Sequence, residues 1–189
     1  MVSVCMATFN GERYIKEQVD SILGQLGSDD ELVVSDDHST DDTVAILKAF
    51  GDPRIRVVLN TPNTGKARRH QLITRNFFNA INNSRGDVIF LADQDDVWMP
   101  SKVQVCMKEL GHCDLVIHNA EKCGQDMKSM NKTMWPDGFM FHNYLVLPHS
   151  YMGCCMAFRR SMLKQILPPP FHSVYTTIGL ASCVNYAVA

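Results

Sequence analysis

With 189 residues, 46% of them hydrophobic and 20% charged, the chain is too apolar to be disordered and is sized for one domain with a genuine core. Its 18 basic residues are balanced by 20 acidic ones, a net charge of -2, which argues against a nucleic-acid binder and leaves room only for a local phosphate site. Seven cysteines, odd in number and without a C-x-x-C pair, read as reduced buried thiols of a cytosolic protein rather than as a disulfide framework or a zinc site.

In chain order, Val2 to Thr8 predicts a buried strand and Glu12 to Leu26 an amphipathic helix, with Tyr14, Ile15, Val19, Ile22, Leu23 and Leu26 on one face. Glu31 to Ser35 predicts a second strand. The acidic run Asp36 to Asp42 follows it, and Thr40 or Asp41 is placed to cap a helix over Thr43 to Phe50. Arg54 to Leu59 reads as a third strand, Leu72 to Asn82 as a third helix and Asp87 to Ala92 as a fourth, fully apolar strand. Beyond Trp98 the pattern weakens: Pro100 to Leu110 is helical, Leu115 to His118 strand-like, and Asn131 to Ser150 irregular. Gly153 to Phe158 predicts a strand, and Ser161 to Leu167 a short helix ended by three prolines. No stretch approaches the ~20 apolar residues of a spanning helix. Met1 to Phe9 lacks the basic leader of a signal peptide. The expectation is a soluble, cytoplasmic domain able to dock peripherally at the inner face of a membrane.

Strand and helix in strict alternation predict an α/β fold, an open, mostly parallel sheet covered on both faces, in which ligands bind beyond the carboxyl ends of the strands. Three polar clusters fall at those ends: Thr8 to Glu12, Asp36-Asp37 and Asp93-Gln94-Asp95-Asp96. Three carboxylates within four residues repel one another, and a hard divalent cation relieves that repulsion. All-oxygen ligands suit magnesium or manganese, which keep open positions for a diphosphate. The plainer alternative is a solvated acidic turn in which Asp95 or Asp96 caps the helix from Pro100. Asp36 and Asp37 likewise suit either hydrogen bonds to a base or ribose or a simple Asx-turn. Independent capping turns, however, need not share one rim.

These residues resemble family-2 glycosyltransferases of the GT-A, Rossmann-like fold from residue 2 to about 170. The resemblance lies in Val2 to Gly11, in Glu31 to Thr43 with its Asp-Asp-x-Ser-x-x-Asp turn, in Asn63-x-Gly65 with Arg75-Asn76, and in Gly86 to Trp98 with its D-x-D element. Leu-Ala-Asp-Gln-Asp-Asp-Val-Trp at 91 to 98 is nearest to the rhamnosyltransferase-like branch. The resemblance implies a UDP- or dTDP-sugar donor, a glycan or lipid-linked acceptor, Mn2+ or Mg2+ as cofactor, and transfer with inversion of the anomeric centre, of hexosyl or rhamnosyl type. It implies that Thr8, Asn10 and Glu12 line the nucleotide pocket, that Asp36 or Asp37 contacts the base, that Asp93 and Gln94 approach ribose, donor sugar or diphosphate, and that Asp95 ligates the metal. Gly153 to Arg160 resembles the acceptor-side strand.

Two segments depart from that pattern. Lys66 to Arg75 is about seven residues longer than the nearest branch usually has. Ser173 also stands after His172, where the branch places the Asp expected to act as base. A serine cannot take the acceptor's proton as a carboxylate does, which leaves His172 as candidate base or as a structural or metal-proximal histidine. Such families commonly continue into further helices, so residues 1–189 are expected to be one transferase domain without them. A non-catalytic or truncated nucleotide-sugar-binding domain is the alternative.

Overall fold

The computed structural model describes residues 1–62, 69–124, 128–134, 153–166 and 186–188. In chain order they form β1 (Val2–Thr8), α1 (Ile15–Leu23), β2 (Glu31–Asp36), α2 (Thr43–Ala49), β3 (Ile55–Leu59), α3 (Arg69–Asn83), β4 (Val88–Asp93), α4 (Lys102–Glu109), β5 (Leu115–Ile117), β6 (Glu121–Cys123), β7 (Ser129–Thr133), β8 (Met156–Arg159), α5 (Leu163–Ile166) and β9 (Tyr186–Val188). The principal sheet runs β3-β2-β1-β4-β8-β5-β9. Its first four strands are parallel. β8 is antiparallel to both β4 and β5, and β9 lies parallel to β5. The expected mostly parallel sheet is therefore present, with one reversed strand inserted beside β4.

Alternation along the strands sends side chains to two cores. Cys5, Val33, Ile89 and Leu91 face one way and meet Phe77, Phe78 and Ile81 of α3. Val4, Met6, Leu32, Val34, Phe90 and Ala92 face the other and meet Ile15, Val19 and Ile22 of α1, Leu47 of α2, and Val103 and Cys106 of α4. Both faces are thus covered, which is why β4 and the middles of β1 and β2 read as apolar runs rather than as alternating ones. Leu91 and Phe90, adjacent in sequence, are both fully buried, one in each core.

Several boundaries differ from the sequence expectation. Helix α1 begins at Ile15 because residues 11–14 form a turn, in which the Gly11 carbonyl accepts hydrogen bonds from the Tyr14 and Ile15 amides. Gly153–Cys155 is a turn of 3-10 helix, and only Met156–Arg159 pairs as a strand. Part of the stretch expected to be irregular is ordered: Ser129–Thr133 pairs antiparallel with Glu121–Cys123. That hairpin is exposed on every residue, so it carries no hydrophobic alternation to reveal it.

Candidate functional site

Register brings the polar clusters together. Thr8 pairs with Asp36 across β1 and β2, and Ala7 with Asp93 across β1 and β4, so the three loops leave the sheet at one rim. The loops are then laced to one another. The Asn10 amide donates to Ser39 Oγ (2.8 Å), and Asn10 Oδ1 accepts from the Thr40 amide (2.8 Å). Gly11 N donates to Thr43 Oγ1 (2.7 Å) and Glu12 N to Asp41 Oδ2 (3.0 Å), while Glu12 Oε2 accepts from Asp42 N (3.1 Å). Asn10 takes a left-handed backbone with φ 49°, a conformation asparagine tolerates better than most residues. The cap position of α2 is neither Thr40 nor Asp41 but Asp42, which makes no side-chain capping bond; Asp41 accepts from Thr43 N and Oγ1 from one residue earlier, and Thr40 turns to Asn10.

Asp36 is buried, and its two oxygens accept from the Ser39 amide (2.9 Å) and hydroxyl (2.6 Å), an Asx-type turn. Asp37 is half-buried, and its Oδ1 accepts from Asn60 Nδ2 (2.9 Å). Gln94 faces the first loop: its Oε1 accepts from Thr8 Oγ1 (2.6 Å) and the Phe9 amide (2.8 Å), and its Nε2 donates to the Phe9 carbonyl (3.2 Å). Gly11 makes this clamp feasible, because a Cβ there would stand 2.5 Å from Gln94 Oε1.

The carboxylates beside Gln94 are not helix caps. The cap position of α4 is Ser101, which makes no side-chain capping bond, and the Val103 amide donates instead to Gln25 Oε1 (3.1 Å). Asp95 is exposed, while Asp93 and Asp96 are half-buried. Burial, followed by the charges of Asp96 and Asp95, pushes Asp93 up to about 6. Burial also raises Asp96. Two carboxylates held where ionisation is costly are a pair that a cation would stabilise.

Four residues not singled out as contributors complete the surroundings. Gln18, fully buried on the apolar face of α1, donates to the Asp93 carbonyl (2.8 Å). A polar side chain among Ile15, Val19 and Ile22 was the signal that could have found it. Asn76 donates to the Thr8 carbonyl (3.1 Å) and accepts from Ser35 Oγ (2.6 Å), tying α3 to the ends of β1 and β2. Lys102 donates to the Cys154 carbonyl (2.8 Å) and stacks 4.0 Å from the Trp98 ring centre. Burial lowers its pKa. His118 Nδ1 lies 2.7 Å from the Asn119 carbonyl, and burial followed by the Lys102 charge lowers its pKa to about 4. Only the completed sheet brings Cys154 to Asp93 and Asp96. The candidate base His172, with Ser173, and the segment 63–68 lie outside the described residues.

A parallel β3-β2-β1-β4 half-sheet with an acidic turn after β4 and a reversed strand beside it is the architecture of GT-A transferases. Two such structures match with alignments that cover 100% of this chain. One is Staphylococcus aureus TarS 1-349 in complex with UDP-GlcNAc (TM-score 0.69, 19% identity, 58% of that chain), and the other is the mannosyltransferase PcManGT of Pyrobaculum calidifontis in complex with GDP-Man and Mn2+ (TM-score 0.69, 20% identity, 54% of that chain). At those identities the likeness establishes the fold. The chain belongs to glycosyl transferase family 2, whose model matches residues 3–167. Among its relatives is the dTDP-rhamnosyl transferase RfbG of Shigella flexneri, 31% identical over 121 residues, which cover 62% of this chain and 39% of that enzyme. The chain spans less than two thirds of the length of the curated relatives it matches, 59% of one and 39% of RfbG.

Proposed function

We propose that this chain is the donor-binding domain of an inverting, metal-dependent glycosyltransferase that moves a sugar from a UDP- or dTDP-sugar to a glycan or lipid-linked hydroxyl. The observation that carries the reading is the convergence of three polar loops at the carboxyl ends of adjacent parallel strands, with Asp93 and Asp96 held at raised pKa and Asp95 exposed beside them. Asp95, with its neighbours in the tetrad, would hold Mn2+ or Mg2+, which neutralises charge developing on the diphosphate leaving group. Thr8, Asn10 and Glu12 border the nucleotide, and Asp37 is the better placed of the two turn carboxylates to meet a base, since both oxygens of Asp36 already serve Ser39. Gln94 contributes by holding the first loop against the tetrad.

The chemistry is an in-line attack by an acceptor hydroxyl on the anomeric carbon, opposite the departing diphosphate. The hydroxyl's proton needs an acceptor on the open face, and His172 is the candidate on sequence grounds. Because Ser173 replaces the expected carboxylate, donor binding without transfer is the second reading. No helix among the described residues is long and apolar enough to cross a membrane, and the proposed location is the cytoplasm, with contact at the inner membrane face where a lipid-linked acceptor resides.

The test is thermal unfolding with UDP or dTDP, with and without manganese or magnesium. Stabilisation by the nucleotide that requires the metal and is lost in Asp95→Asn supports the reading; a shift indifferent to both metal and substitution sinks it. Release of UDP or dTDP from a donor panel then separates a transferase from a binding domain.

A further inference from the structure

The proposed reaction gives no role to Cys154, yet its thiol lies in the acidic site. The sulfur and one carboxylate oxygen each from Asp93 and Asp96 all lie within 4.8 Å of one another. The neighbouring Cys155 sulfur lies 4.0 Å from that of Cys154. Cys154 is 5% exposed, and its carbonyl accepts from Lys102 Nζ (2.8 Å), whose charge is also felt by Asp93 and Asp96. Asp95, the residue exposed to solvent, is not part of this trio.

A site of oxygen atoms alone favours magnesium, manganese or calcium, whereas a thiolate among the ligands turns preference towards zinc, cadmium and cobalt. Small side-chain rotations would bring these three atoms to the ~2.0–2.3 Å bonds such ions make. We propose that Asp93, Asp96 and Cys154 form a mixed carboxylate–thiolate centre that binds a thiophilic divalent cation of the zinc class in preference to magnesium. The inference rests on the metal reading of the tetrad and extends it by naming a soft donor and the ion class it selects. Binding is balanced by one proton: the sulfur–hydrogen bond breaks, the sulfur–metal bond forms with the sulfur's electron pair, and the proton passes to solvent. A zinc-class ion seated here would compete with the manganese or magnesium that the donor diphosphate needs.

The test uses cadmium alone, without nucleotide, so its outcome is independent of whether the chain binds a donor. The chain is titrated with Cd2+ while the ultraviolet cadmium–thiolate charge-transfer band and proton release are followed. Expected are a band saturating at one equivalent, about one proton released per cation, and no competition from equimolar magnesium. Cys123→Ser, at an exposed cysteine, should leave the band unchanged, Cys154→Ser should abolish it, and Asp93→Asn or Asp96→Asn should weaken the affinity about tenfold or more. Should Cys154→Ser fail to fold, alkylation of the unaltered chain mapped by mass spectrometry reads the same point, with Cd2+ slowing modification of Cys154. The proposal is overturned by a one-equivalent band that survives Cys154→Ser, by the absence of a saturable band, by Asn variants that bind as tightly as the parent, or by no protection of Cys154.

Discussion

At the scale of single residues, the rim is organised by side chains that hold loops as much as by side chains free to meet a ligand. Gly11 shows this best. An added Cβ meets the end of the Gln94 side chain rather than backbone, so Gly11→Ala should displace the Gln94 amide from Thr8 and Phe9 at a stability cost of only ~1 kcal/mol. Metal-dependent nucleotide affinity should fall severalfold, as isothermal titration would read; an unchanged affinity would remove Gln94 from the loop-holding role. His118 makes a pH prediction. Its folded pKa, about 4, lies below the ordinary 6.5, so the folded state disfavours the proton that the unfolded chain takes up readily. Stability from this group is complete above pH 6.5 and is lost as pH falls towards 4, by up to ~3 kcal/mol. His118→Gln should flatten the acid limb of the unfolding midpoint against pH between those values.

At the scale of elements, the end of the sheet opposite the site is tied by one buried carboxylate. Glu31, 3% exposed at the start of β2, accepts from Ser3 Oγ (2.7 Å) on β1, from the Arg85 amide (2.5 Å) before β4, and from Arg56 (3.1 Å) on β3. Burial works to raise its pKa, but these hydrogen bonds prevail and hold it below the usual carboxylate value. Its contribution is therefore present above pH ~4.5 and lost as pH falls through the lowered value. Glu31→Ala should cost ~2–3 kcal/mol in urea unfolding at neutral pH, because buried Ser3 loses its acceptor and the more exposed Arg56 and Arg85 lose an ion-pair partner that water replaces only in part. A loss below ~1 kcal/mol would mean that the four parallel strands hold their register without it. The strands themselves were legible as apolar runs, and the helices as 3.6-residue stripes, because burial on both sheet faces writes itself into composition. The β6–β7 hairpin buries nothing and was not legible.

At the scale of the whole molecule, two hydrophobic cores flank one sheet and leave its carboxyl rim to polar loops. Phe90 is fully buried against α1 and α4, and its ring lies 5.6 Å from that of Trp98, just beyond the tetrad. Phe90→Ala should lower global stability by ~3–5 kcal/mol in denaturant. Because Trp98 then loses its ring partner, metal-dependent nucleotide binding should weaken as well, whereas Phe77→Ala in the opposite core should match the stability loss with a smaller effect on binding. A ligand seated at the rim stabilises the whole domain in proportion to its occupancy. Nucleotide and metal at 100 times the dissociation constant should add ~2.7 kcal/mol, and Asp95→Asn should abolish that gain.

The amino-acid sequence alone determined the order of strands and helices, the two-sided burial of the parallel strands and the placement of Thr8 to Glu12, Asp36-Asp37 and Asp93 to Asp96 at strand ends, because periodicity and polar breaks are local properties of a chain. Family membership was also legible there, in four motifs with the right order and spacing. What only the tertiary structure decided depends on residues far apart in the chain. The Gln94 amide crosses to the first loop, Asn76 ties a helix to two strand ends, and Cys154 comes to lie against Asp93 and Asp96. The first two pairings follow from the parallel order β2-β1-β4 and the packing of α3 on it; the last arises because β8 runs antiparallel beside β4, so that the turn leading into it brings Cys154, some 60 positions away, to the acidic rim, a juxtaposition set by sheet order and register rather than by local pattern.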